Sequence, residues 1–184
     1  MKTLFHLLSF MLVFTVFIAC DDDDDQLQPA AEDLLFLNGG FSFDKAVLTP
    51  ASTNPDGTFK ADVYLLESPA DLGTDGLTGL PADVAVLSFQ ALPQRGELPD
   101  GEYTVGLPRN GGNVLNTYIK DNLNSSFNDL KFMTSGTITV GTSGGQRTFS
   151  FEVRIVNDLI SQYDAEAEGI PLTGSVILPL EVFN

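Results

Sequence analysis

Phe149, Phe151, Val153 and Ile155 alternate with Ser150, Glu152 and Arg154. A period of two marks a strand with one face buried and one face wet. A helix would spread the same apolar residues around its axis, so this stretch excludes a helical reading. Phe59, Ala61, Val63 and Leu65 repeat the pattern against Lys60, Asp62, Tyr64 and Leu66. Val84 to Leu92 is nearly continuous apolar, which suits a strand covered on both faces. Ser135 to Val140 turns Ile138 and Val140 inward. Leu172 to Phe183 puts Val176, Leu178, Leu180 and Val182 on one face. Pro179 cannot donate to a ladder, so that last strand is expected at an edge or bulged there.

Turn chemistry separates these runs. Leu34 to Leu37 leads into Asn38-Gly39-Gly40 and then Phe41-Ser42-Phe43. Asn-Gly between apolar runs signals a hairpin, because both residues tolerate positive φ. The returning strand is expected to continue to about Leu48. Asn54-Pro55-Asp56-Gly57 is a second turn, with Pro presetting φ and Gly taking the left-handed position. Residues 69–82 read as a long Gly/Pro/Asp loop, and Leu98-Pro99-Asp100-Gly101 turns into Glu102-Tyr103-Thr104-Val105. Val114 to Leu123 fits either a helix or a strand, and its Asn and Gly surroundings favour the strand. The Asn-rich residues 122–129 form a loop, Thr142 to Gln146 closes a hairpin, and residues 158–170 are an acidic insertion. Together these give about eight or nine strands with turns every 8–12 residues. The fold class is therefore all-β, an antiparallel β-sandwich, with a calycin-like β-barrel as the alternative.

The first residues belong to a different regime. Met1-Lys2-Thr3 is a short positive segment, and Leu4 to Ile18 is apolar except for His6, Ser9 and Thr15. A spanning helix needs about 20 apolar residues, so this segment suits a cleaved signal peptide over 1–19. Removal takes away His6, the sole histidine, and makes Cys20, the sole cysteine, the first residue. Residues 20–33 then form an acidic linker, and 34–184 form a single β domain.

Phe17-Ile18-Ala19-Cys20 resembles the lipobox of bacterial lipoproteins. That resemblance implies a diacylglycerol on the Cys20 thiol and an acylated amino terminus. Two or more chains anchor stably where one holds weakly. Asp21, Asp22, Asp23, Asp24 and Asp25 directly after the cysteine resemble the surface-export signal of Bacteroidota lipoproteins. Like charges also extend a tether and keep it off an anionic membrane surface. The segments LPDGEYTV, SGTITV, TFSFEVRI and LTGSVILPLEV are similar to small β domains of such lipoproteins. The resemblance implies an outer-membrane location, lipid-anchored and exposed at the cell surface.

Composition narrows the chemistry. Without His6 the domain has no histidine for a Ser-His-Asp triad, a Cys-His pair or a general base. Zinc sites of His and Cys and a disulfide framework are excluded within one chain. No cofactor is implied. Net charge is −16, and the few cations are scattered, which argues against nucleic acid. Asp71-Leu72-Gly73-Thr74-Asp75-Gly76 looks like a calcium loop but has Gly73 at position 3 and Ala82 at position 12, so the EF-hand pattern fails. Asp158, Asp164, Glu166 and Glu168 sit in one insertion and suit a solvated loop better than a metal site. No catalytic or metal-binding residue is assigned. The expectation is a lipid-anchored binding or interaction module, not an enzyme, held to the membrane and meeting a protein or glycan. The alternatives are a small barrel carrying an apolar ligand and a carboxylate-based hydrolase, for which Tyr64, Tyr103, Tyr118 and Tyr163 would supply sugar contacts in the absence of Trp.

Overall fold

The cleanest alternation in the sequence becomes one of the longest strands. In the computed structural model, which describes residues 32–36, 39–106, 113–120, 130–157 and 169–183, all regular structure is β. In chain order the strands are β1 (Glu32–Phe36), β2 (Gly39–Phe41), β3 (Lys45–Thr53), β4 (Phe59–Leu66), β5 (Asp71–Gly73), β6 (Gly76–Thr78) and β7 (Val84–Leu92). They continue with β8 (Gly101–Thr104), β9 (Val114–Lys120), β10 (Leu130–Ser143), β11 (Gln146–Val156), β12 (Ile170–Leu178) and β13 (Leu180–Val182). All fall within one unit, Ala31–Asn184.

Two walls face each other across one core, the layout of an antiparallel sandwich. Hydrogen bonding runs through one sheet in the order β13–β3–β4–β7–β9–β10–β11–β12–β1–β2 with β8 on β10; its first wall is taken as β3–β4–β7 and its second as β8–β10–β11–β12 followed by β1 and β2. Inward rows on the first wall are Ala46–Leu65–Ala85, Leu48–Val63–Leu87 and Pro50–Ala61–Phe89. On the second wall they are Val140–Phe149–Val176, Ile138–Phe151–Gly174 and Gly136–Val153–Leu172. Each phenylalanine of β11 has smaller neighbours, so bulk and space alternate and the rows interdigitate. Phe41, Phe89, Phe149 and Phe151 lie within a single buried cluster drawn from both walls. Phe89 of β7 meets Tyr103 of β8 edge to face at 4.8 Å between ring centroids, which fixes the walls against each other.

The walls are also hydrogen-bonded to one another. β9 pairs with β7 along its length and with the start of β10. At the other side, β12 runs through Pro179 into β13, which pairs parallel to β3. Pro179 ends the ladder with β11 and offers its carbonyl to the Ala46 amide at 3.0 Å. The break expected at Pro179 is present, but β12 is no edge strand, since β11 and β1 flank it.

Several expectations need correction. The strand read from Phe41 to Leu48 is two strands, β2 on the second wall and β3 on the first. Between them Ser42 and Asp44 are exposed and only Phe43 turns into the core, its ring stacked on Phe41 at 6.4 Å between centroids. Phe36 pairs with Gly39, so Gly39 opens the returning strand instead of completing a turn with Asn38. The loop at 69–82 contains the β5–β6 hairpin. Among the described residues the short strands β2, β8 and β13, which carry no periodicity, pair at the margins of the longer ones, and β5 and β6 pair with each other.

The β3–β4 turn forms as its residues dictate. Gly57 has φ +86°, and Asp56 accepts from the Thr58 amide at 3.0 Å and its hydroxyl at 2.7 Å. Those two bonds hold the Asp56 carboxyl below the usual carboxylate range. At the start of β8 the Tyr103 hydroxyl donates to the Pro99 carbonyl at 2.7 Å, a tyrosine corner of the kind sandwiches use to turn a strand. Burial raises the Tyr103 pKa, with Arg147 lowering it and Asp100 raising it. Arg147 occupies an inward position at the end of β11, opposite Leu178. Its guanidinium escapes the core by donating to Asp100 at 2.7 Å, to Thr142 and to the Leu98 carbonyl.

Candidate functional site

The outer faces of the two walls differ. On the first wall, Val47, Leu66, Val84 and Val86 point outward and would be an apolar patch if left open. The 69–82 segment folds over them, burying Ala70 and Ala82 and packing Leu72, Leu77 and Leu80 on top. This second cluster explains why β7 is apolar on both faces. Lys45 clamps the cover through Asp71 at 2.6 Å, and the Leu72 amide donates to the same carboxylate at 2.8 Å. Those interactions, the Lys45 hydrogen bond first, hold the Asp71 carboxyl below its usual range. The Ser68 amide donates to Asp44 at 2.5 Å and the Asp83 amide to Glu67 at 3.0 Å, which tie both ends of the segment down.

The outer face of the second wall has no such cover among the described residues. Beyond the Gly141–Thr148–Ile177 row at one end, its cross-strand rows are Glu102–Thr139–Ser150–Ser175, Thr104–Thr137–Glu152–Thr173 and Ser135–Arg154–Pro171, eleven positions in all. Seven of these eleven positions are Ser or Thr. β-Branched and small hydroxylated residues suit a pleated outer surface, so β propensity and solvation agree here. Among the described residues none of the seven hydroxyls, and neither Glu102 nor Glu152, is engaged in a hydrogen bond or ion pair. Arg154 is held, donating to the Gly169 carbonyl at 2.7 Å. A shallow concavity of about 560 Å³ opens over Ser150, Glu152, Arg154, Thr173 and Ser175. From strand spacing and rise, Glu102 and Glu152 sit about 12 Å apart at the backbone, on an open face and not in a cleft.

The residues singled out from sequence distribute as follows. Asp71 and Asp75 lie in the β5–β6 hairpin, where Asp71 serves Lys45 and Leu72. Among the described residues no group of three or more His, Cys, Asp or Glu side chains converges as a metal site. Tyr103 is buried and Tyr64 half-buried, with burial and then Asp62 raising the Tyr64 pKa. The signal segment 1–19, Cys20, Asp21 to Asp25, the Asn-rich 122–129 and the acidic Asp158, Asp164, Glu166 and Glu168 lie outside the described residues, as do Tyr163 and the Tyr118 side chain. Among the described residues no helix is long and apolar enough to cross a membrane. The hydroxyl face was missed by sequence reading, although its signal stands in Thr137-Ile138-Thr139, Ser150 and Thr173-Gly174-Ser175. Only the pairing register brings those residues together.

Comparison with family models, with curated proteins and with solved structures found no match to this chain.

Proposed function

We propose that this chain is a lipid-anchored binding module displayed at the surface of a bacterial outer membrane of the Bacteroidota type. Cys20 is the lipid site, and Asp21, Asp22, Asp23, Asp24 and Asp25 serve as export signal and tether. The domain binds through the outer face of β8–β10–β11–β12 and performs no chemistry. The unequal outer faces carry the proposal: among the described residues one wall is sealed by its own chain, while the other presents unengaged hydroxyls and carboxylates. A chain that seals one apolar face and leaves a polar face open has a surface fit for reversible contact. Among the described residues Phe41, Phe89, Phe149 and Phe151 belong to one buried core cluster.

Membrane fractionation tests the anchor. The wild-type chain is expected in the membrane fraction, and Cys20→Ala in the soluble fraction. Equal partitioning of both would rule the anchor out. Replacing Asp21 to Asp25 with Ala is expected to protect the domain from protease added to intact cells, and unchanged cleavage would reduce the run to a tether.

A further inference from the structure

The open wall excludes most partners by its chemistry. Protein interfaces concentrate aromatic residues, Met and Arg in their buried centre and are depleted in Ser. None of these eleven positions is aromatic, and Pro171 is the one apolar residue among them, with Ile177 turned outward in the adjoining Gly141–Thr148–Ile177 row. Nucleic acid and anionic lipid surfaces need clustered cations, whereas Arg154 is the single cation of these rows, in company with Glu102 and Glu152. A hydroxyl is both a donor and an acceptor, so two hydroxylated surfaces satisfy each other in either sense. A free carboxylate adds acceptors that take two neighbouring hydroxyls at once.

We infer that the outer face of β8–β10–β11–β12 binds an uncharged polyhydroxylated chain, a neutral glycan, laid over the Ser150–Glu152–Thr173 region. This rests on the reading of that face as the contact surface. Successive side chains on one face of a strand repeat every ~6.8 Å, and strands lie ~4.8 Å apart, so the hydroxyls form a grid on the scale of a sugar ring. Glu152 stands at the centre, between Thr137 and Thr173 on the neighbouring strands. Two carboxylates within the grid disfavour an acidic polysaccharide.

Affinity electrophoresis of the full chain provides the test. Native gels would contain laminarin, galactomannan or arabinoxylan as neutral probes, with polygalacturonate as the anionic control. At least one neutral probe is expected to retard the chain, and polygalacturonate none. The Ser150→Val/Thr173→Val double variant is expected to bind about tenfold more weakly with unchanged melting temperature, since two hydrogen bonds are lost at solvated strand positions. No retardation by any neutral probe, equal retardation of the double variant, or equal retardation by polygalacturonate would each overturn the inference. A benzophenone attached at Thr173→Cys separates this failure from failure of the face itself. Cross-linking to a membrane protein without glycan retardation overturns the glycan and keeps the face. Neither result would overturn both.

Discussion

Gly136→Ala is expected to lower stability by about 3–5 kcal/mol, combining a disfavoured backbone angle with a steric clash. Gly136 has φ +109°, and a Cβ there would lie 2.1 Å from the Glu152 carbonyl oxygen and 2.6 Å from the Val153 Cα. Both are backbone atoms, so no rotamer change relieves the contact. The strand would have to move, and the Val105 amide that donates to the Gly136 carbonyl at 2.9 Å would move with it. The midpoint of urea unfolding checks this, and a loss under about 1 kcal/mol would mean that β10 relaxes freely there. Ala91 runs the same physics in reverse. It is exposed with φ +56°, in the left-handed region that costs an L-residue roughly 1–2 kcal/mol. Ala91→Gly should therefore gain about 1 kcal/mol.

Phe149→Ala is expected to cost about 3–5 kcal/mol through lost burial and the cavity left behind. The Phe149 ring is fully buried and sits in a row between Val140 and Val176. Those two are β-branched and short, so neither can collapse into the space. Phe149→Leu keeps most of the volume and should cost under about 1.5 kcal/mol. Among the described residues Val182 is the one large apolar side chain found exposed, and Val182→Ala should change stability by no more than about 0.5 kcal/mol. Thermal unfolding of the three variants side by side separates packing from a general effect of removing apolar atoms.

The elements carried by periodicity were legible in the sequence. β4, β7 and β11 stand where alternation or a continuous apolar run put them, and the turn at Asn54 to Gly57 forms by the chemistry of its residues. Period two reports which residues share a face, but not which strand lies alongside. That is why the single strand read over Phe41 to Leu48 divides between the two walls, and why the cover formed by β5 and β6 read as a loop. The apolar residues on both faces of β7 did announce a cover, without saying which segment supplies it. The hydroxyl face was hidden for the same reason: Thr137, Ser150 and Thr173 are ordinary polar strand positions until register aligns three strands. The proposed anchor is the opposite case, since the lipobox resemblance of Phe17 to Cys20 is a local signature that needs no register.

Mass spectrometry of the amino-terminal peptide from the membrane-extracted protein decides most directly whether this is an anchored module. A peptide that begins at Cys20, carries a diacylglycerol on its sulfur and lacks residues 1–19 is the expected result. A peptide that retains residues 1–19, or that carries an unmodified Cys20 thiol, would contradict it.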